Sequence, residues 1–270
     1  MEQKNALAHP DAAIMKENIA RNWLPRYTKR KLEDFTDCIL LTNFGNYVNM
    51  FAEKFGVEVV GKEGNMPNAS AEGITIINFG MGSPNAATIM DLLGVIHPRA
   101  CLFLGKCGGI DKHTKIGDLV LPLAAIRGEG TSDDYYPLIV PALPAFMLQR
   151  AISSAIRDHG KDYWTGTVFT TNRRLWEHDE HFKTLLSTTR AMCVDMETAT
   201  LFICGFANHI PTGALLLVSD QPMIPEGIKT EASDNIVTKN YVEDHLQMGI
   251  DALKKIIEDN RTVKHLKYDW

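Results

Sequence analysis

The chain has no apolar stretch long enough to span a bilayer: its longest runs, such as Ala214 to Val218, fall far short of about 20 residues. Residues 1–20 carry Glu2, Asp11 and Glu17 and lack a continuous apolar core of about 7–15 residues, so they are not expected to act as a secretory signal. Positive charge is not in surplus either. The 270 residues hold 28 Lys and Arg against 33 Asp and Glu, a formal net charge of -5, which supplies no overall field for a nucleic-acid polymer or an anionic membrane. Any anion has to be met by local side chains. Cysteine is scarce: Cys38, Cys101, Cys107, Cys193 and Cys204 form an odd set without metal-finger spacing, so reduced thiols, no bound metal and a cytoplasmic location are expected. Fixed-period repeats and low-complexity linkers are absent as well. At 45% hydrophobic, a chain of this length buries roughly 70–75% of its unfolded surface, a core that needs no disulfides.

What is present is alternation. Residues 4–24 read as a helix that leads into a basic stretch, Arg21 to Lys31. From Asp37 onward, apolar runs of strand length (38–42, 74–79, 101–105, 118–126, 165–169, 191–195, 213–219) alternate with helix-length amphipathic segments (46–56, 84–96, 144–158, 178–187, 196–208, 232–258). This predicts an α/β fold. Runs such as Cys38-Ile-Leu-Leu and Ala214-Leu-Leu-Leu-Val are continuously apolar, as strands covered on both faces require. The expected organisation is a helical arm over 1–36, one catalytic domain over 37–260 and a tail over 261–270.

Three glycine-rich segments follow strands. Gly80-Met-Gly-Ser-Pro84 precedes a helix, so its free backbone N–H groups face whatever lies above the strand end; a bound polar ligand and a plain tight turn both fit. The segment lacks the third glycine of a dinucleotide fingerprint, and no acidic residue closes the next strand, which argues against NAD. Gly105-Lys-Cys-Gly-Gly109 has the spacing of a nucleophile elbow with Cys107 in place of serine, and Asp220 and His245 follow in hydrolase order. Turn residues from Asp111 to Gly117, rather than a helix, come next, which weighs against the elbow. In this turn Lys106 offers a point charge to a phosphate, or is a solvated surface lysine. Arg127-Gly-Glu-Gly-Thr-Ser132 ends a long strand; Arg127 and the hydroxyl of Thr131 suit a phosphate or carboxylate, while an Arg–Glu pair steadying the turn is the alternative.

Acidic residues stand at two further strand ends. Asp195 and Glu197 fit an N-cap and a first-turn acid, and a carboxylate placed there can also accept hydrogen bonds from vicinal hydroxyls. Asp220 follows a buried strand, on the side where open α/β sheets bind ligands, and is the best general-acid candidate; a turn aspartate before Gln221-Pro222 is the plainer reading. His178 and His181 are spaced i, i+3 on an expected helix, and their neighbours Glu177, Asp179 and Glu180 make it polar, which reads as a solvated face rather than a metal pair.

Together, Gly80-Met-Gly-Ser-Pro, Gly105-Lys-Cys-Gly-Gly, Arg127-Gly-Glu-Gly-Thr-Ser, Thr170-Thr-Asn-Arg-Arg-Leu-Trp-Glu-His-Asp, Val194-Asp-Met-Glu-Thr-Ala and Ser219-Asp-Gln-Pro-Met-Ile-Pro-Glu-Gly resemble the nucleoside phosphorylase and nucleosidase superfamily, nearest its AMP-cleaving nucleosidases, over nearly the whole chain. The resemblance implies a single-domain three-layer α/β/α fold with a central mixed, twisted sheet. It implies that Met196 and Glu197 hold the ribose hydroxyls, that Asp220 faces purine N7, and that Met81, Gly82 and Phe169 lie near sugar and base. Phosphorylases of this superfamily grip inorganic phosphate with an arginine and a serine where this chain has Phe103 and Lys106. Their glycine-to-arginine phosphate loop is replaced here by Asn43-Phe-Gly-Asn-Tyr47, and the water-steering glutamate of related hydrolases has no counterpart in that turn. Water is therefore the implied acceptor. Lys106, Arg173, Arg174, Lys62 and Arg26 are the candidate cations for a 5′-phosphate, with Arg127 and Thr131 as further substrate-binding candidates. Arg26 is expected to reach a neighbouring subunit, because members share sites across dimers and many form hexamers. The expected activity is hydrolysis of AMP to adenine and ribose 5-phosphate in purine salvage, without a cofactor, by a homo-oligomer. A phosphorylase using inorganic phosphate and a non-catalytic nucleotide sensor are the alternatives.

Overall fold

The apolar runs fold as strands and the amphipathic segments as the helices that cover them. The computed structural model describes residues 10–259. In chain order it contains α1 (Pro10–Thr28), β1 (Cys38–Thr42), α2 (Gly45–Phe55), β2 (Asn68–Ala71), β3 (Ile74–Asn78), α3 (Ser83–Leu93), β4 (Ala100–Gly109), β5 (Leu119–Gly128), α4 (Phe146–Asp158), β6 (Trp164–Thr171), α5 (Glu180–Thr189), β7 (Cys193–Asp195), α6 (Thr198–Ala207), β8 (Thr212–Asp220) and α7 (Glu231–Glu258).

The strands form one mixed sheet in the order β2-β3-β1-β4-β7-β6-β5-β8, with β4 also paired to β8. β1 runs parallel to both β3 and β4, whereas β5 is parallel to β6 and antiparallel to β8. Because β4 bonds β8 along much of its length and β7 at its far end, the strands β4, β7, β6, β5 and β8 close on themselves. The remaining three extend the sheet as an open wing. Alternate residues enter opposite layers. Ile39, Leu41, Cys101 and Phe103 pack with α1, α3 and α6, while Leu40, Leu102 and Leu104 pack with α2, α4 and α7. Coverage on both faces is the reason these runs lack polar alternation.

Three segments depart from the sequence pattern. The helix expected over 4–24 is described from Pro10 and continues past Pro25 to Thr28, so the first part of the basic stretch is helical. It is anchored by buried Leu24 and by Lys16, 2.6 Å from Asp91. Gly105–Gly109 is strand rather than turn: β4 runs on to Gly109 with a bulge between Cys107 and Gly108. Its glycines serve close approach, since a Cβ at Gly105 would lie 2.5 Å from the Phe103 ring and one at Gly108 would lie 2.7 Å from Pro222. The Phe103 ring in turn packs on Phe79 with centroids 5.8 Å apart. Finally, β2 is Asn-Ala-Ser-Ala, which no hydrophobic pattern announces; buried Asn68 fixes it by donating to the carbonyls of Thr28 (2.8 Å) and Met66 (3.0 Å). Residues 1–9 of the arm and the expected tail over 261–270 lie outside the described residues. No helix among the described residues is long and apolar enough to cross a membrane.

Candidate active site

The carboxyl ends of β1, β4, β6, β7 and β8 meet at an open cleft of about 670 Å³, mouth included. Its wall combines Asn43 and Phe44 after β1, Lys106 to Gly108 on β4, Thr171, Arg173 and Arg174 after β6, Val194 to Glu197 between β7 and α6, and Asp220 at the end of β8.

Glu197 stands at the N-cap position of α6 and is buried. Its carboxylate accepts the backbone N–H of Gly82 at 2.7 Å and that of Met196 at 3.3 Å, and the Asn43 side-chain amide donates to it as well. The free N–H expected of the Gly80 turn is thus met by the protein's own carboxylate. Gly82 reaches it at φ +94, a conformation that favours glycine. Burial first, and then the neighbouring Asp195, push the Glu197 carboxyl up to about 7 against these donors. Asp195 lies deeper. It accepts Thr170 Oγ1 at 2.7 Å and the Thr198 backbone N–H at 2.8 Å, joining β6 to the start of α6, so it performs a capping task from two residues before the N-cap position.

Asp220 ends β8 opposite Gly108, whose missing side chain leaves room for the carboxyl. Burial raises its pKa, opposed by a 2.6 Å hydrogen bond from Ser219 Oγ and by the charge of Lys229. Lys106 is not a solvated lysine. Its side chain is 2% exposed, with Nζ 2.8 Å from Asp234 Oδ1, 3.2 Å from Thr238 Oγ1 and 4.6 Å from the Phe44 ring centroid. Lys229 reaches the same Asp234 oxygen at 2.9 Å, and both lysines line the cleft. Desolvation lowers the Lys106 pKa, and Asp234 works against it. On the wall formed after β6, Arg173 pairs with Asp179 at 2.9 Å and Arg174 Nη1 rests 2.7 Å from Met81 Sδ.

The structure therefore brings together Asp220, Met196, Glu197, Met81, Lys106, Arg173 and Arg174, with Gly82 bonded to Glu197 beside them. Other expected residues lie elsewhere. Arg127 is a structural staple: Nε donates to Ser132 Oγ, Nη1 to the carbonyls of Pro137 and Val140, and Nη2 to Asp133 and the carbonyl of Tyr136. Those five bonds use every donor of the guanidinium, so no N–H is left for a substrate. Thr131 sits in the short turn that Arg127 holds. Phe169 is buried beneath Val194 and Trp176, which line the cleft in its place. Arg26 and Lys62 are exposed and outside the cleft of their own chain.

Cys107 faces the cleft from a strand rather than from an elbow, and burial pushes its thiol well up. His245 is buried between Tyr47 Oη (2.8 Å) and the Leu215 carbonyl (3.0 Å); burial holds it down to about 4, and it is neutral. That arrangement leaves no hydrolase triad. His178 and His181 are exposed, and among the described residues no cluster of three His, Cys, Asp or Glu side chains could hold a metal ion. Sequence reasoning missed Lys229 and Asp234. The available signal is the Thr230/Ser233 capping box, which starts α7 and places Lys229 at the mouth of the cleft.

Residues 38–259 match the phosphorylase superfamily. The chain is 31% identical to the AMP nucleosidase of Escherichia coli K12 over 92% of its own length and 60% of that protein's, so it spans about 60% of that curated relative. It is 25% identical to the uridine phosphorylase of Treponema pallidum over 68% of this chain and 73% of that one. Among solved structures, an AMP nucleosidase from Bacteroides thetaiotaomicron is 61% identical with a TM-score of 0.81, covering 91% of this chain and 99% of that chain. A fold match over 91% of the chain and a family match from β1 through α7 lead to one conclusion: this chain belongs to the phosphorylase superfamily.

Proposed function

We propose that the protein hydrolyses the N-glycosidic bond of AMP to adenine and ribose 5-phosphate. The observation that carries this reading is that two carboxyls line one cleft, the partly buried Asp220 at the end of β8 and the buried Glu197 at the head of α6, together with the buried lysine Lys106. Similarity to the AMP nucleosidases of E. coli and B. thetaiotaomicron supports AMP as the substrate.

Departure of adenine leaves positive charge on the ribose ring, as in glycoside cleavage. Asp220, whose burial favours the protonated form, gives its proton to N7 as the C1′–N9 pair leaves with the base. Glu197, with Met196, holds the ribose and sets negative charge beside the developing cation. Lys106 and Lys229 on one part of the wall, and Arg173 and Arg174 on another, supply cations for the 5′-phosphate.

A second reading has one observation in its favour: the Lys106 and Lys229 pair could take inorganic phosphate as the acceptor. Against it, the β4 position where related phosphorylases carry a phosphate-gripping arginine is the buried Phe103. Purified protein is assayed with AMP, adenosine and inosine, with and without phosphate. Adenine from AMP without phosphate supports hydrolysis; release only when phosphate is supplied makes the protein a phosphorylase, and AMP binding without any release makes it a sensor.

The same proposal includes a homo-oligomer, a hexamer with shared sites, in which Arg26 completes a neighbour's cleft. The exposed Ile14, Met15, Ile19 and Trp23 on α1 support association there. The five unpaired cysteines support a reducing, cytoplasmic setting, in which AMP cleavage would feed purine salvage. The division into arm, catalytic domain over 37–260 and tail belongs to the proposal too.

A further inference from the structure

Two buried side-chain oxygens among the described residues meet no hydrogen-bond donor: Oε2 of Glu129 and Oδ1 of Asn43. Glu129 lies under the turn held by Arg127, and its other oxygen is served by the Ser132 N–H at 3.1 Å and the Thr200 hydroxyl at 2.8 Å. Asn43 lines the cleft itself. Native proteins keep few such orphans, and water or a ligand commonly supplies the missing partner.

The orientation of the Asn43 amide is fixed by its neighbour. Its NH₂ group donates to the Glu197 carboxylate, because an amide oxygen turned toward that carboxylate would be repelled. Oδ1 is therefore the end left over, an acceptor beside the ribose-holding acid, and its donor has to arrive with the reactants. AMP hydrolysis brings three kinds of donor: the ribose hydroxyls, the adenine amino group and the attacking water. Glu197 addresses the hydroxyls, and Asp220 stands at the base. The water is unaddressed, and the turn after β1 contains no carboxylate to take it.

We propose that Asn43 is the positioning residue for the attacking water: Oδ1 accepts one of its O–H groups while Nδ2 holds Glu197 beside it. In the step, the water oxygen bonds to C1′ as the C1′–N9 electron pair leaves with adenine. Asp220 supplies the proton to N7, and the second O–H of the water gives its proton to the Glu197 carboxylate. Solvent then returns one proton from Glu197 to Asp220, so that AMP and water become adenine and ribose 5-phosphate with the enzyme unchanged. The inference rests on the AMP hydrolysis reading.

The test compares the wild-type chain with Asn43→Ala, using AMP and 2′-deoxy-AMP, with AMP affinity measured separately by calorimetry. Misplacing a reacting group costs on the order of 100-fold. Asn43→Ala is expected to lower kcat about 10- to 100-fold, to leave AMP affinity within about threefold, and to lose as much on 2′-deoxy-AMP as on AMP. Unchanged kcat in Asn43→Ala overturns the proposal. So does a loss that appears as weakened AMP binding, or a loss that vanishes on 2′-deoxy-AMP and so assigns the oxygen to the ribose. A wild type that releases no adenine from AMP without phosphate overturns the parent reading and this one with it; an active wild type beside an equally active Asn43→Ala overturns this one alone.

Discussion

Replacing Glu197 with glutamine should stabilise the ligand-free protein, and more so in alkali than in acid. The Glu197 carboxyl is pushed from its ordinary 4.5 up to about 7 by burial and by Asp195. Between those values the folded chain keeps a proton that the unfolded chain has released, so stability falls as pH rises through the interval. Above the folded value the protein carries the whole cost of a buried carboxylate. At about 1.4 kcal/mol per pH unit, that cost is about 3 kcal/mol near pH 8 and under about 1 kcal/mol near pH 5. Glu197→Gln removes the ionisation and keeps one oxygen for the Gly82 N–H, which the native carboxylate accepts at 2.7 Å. The gain of the variant over wild type should therefore be larger near pH 8 by roughly 2–3 kcal/mol, or about 5 °C in Tm for a chain of this size. Thermal and urea melts of both proteins without ligand at the two pH values measure it. A difference that does not change with pH, or one that is larger in acid, would show that the environment of Glu197 has been misjudged, and with it the account of how this group meets the ribose.

Three further outcomes follow from the same geometry. Asp220→Asn should lower turnover of AMP by about 10²–10⁴-fold while AMP binding persists in calorimetry; full activity would discard the acid role. Lys106→Met should raise KM for AMP by about tenfold or more and leave adenosine unaffected, since only the nucleotide presents an anion to that ammonium; equal effects on both would move the phosphate elsewhere. Arg127→Ala should destabilise the fold by about 3 kcal/mol or more without changing KM for AMP in the folded fraction, because its five hydrogen bonds all serve the turn over 131–140. A selective rise in KM would return Arg127 to the substrate.

How far the sequence reveals this molecule depends on how local each cause is. β1 and β8 are legible because a strand covered on both faces has to be continuously apolar. Asp220 and Glu197 are legible as acids at the junctions where such strands end. β2 is not, since its Asn-Ala-Ser-Ala has no apolar run and is fixed by hydrogen bonds from buried Asn68 to the carbonyls of Met66 and of Thr28, the latter 40 positions away. The glycines of β4 suggest a turn because glycine is common there, whereas here they make room for Phe103, Pro222 and Thr114, contacts that exist only after folding. Arg127 has the chemistry of an anion ligand, and only the carbonyls of Pro137 and Val140, brought back by the loop, show that it is already occupied. Lys229 and Asp234 escape for the same reason: they join Lys106 across more than 120 positions of chain, a juxtaposition that no local spacing encodes.

The interlock of Phe103 with Gly105 limits how this cleft can change its chemistry. The ring fills the volume that a side chain at position 105 would need, and its other side is wedged against Phe79. Phe103→Arg, a substitution meant to place a phosphate grip on this strand, opens a ring-sized void and strands a guanidinium among apolar neighbours. A designer, or a drifting lineage, seeking another acceptor must rework both positions and the aromatic neighbour in concert. The bare glycine therefore guards the choice of acceptor as firmly as the ring it shelters.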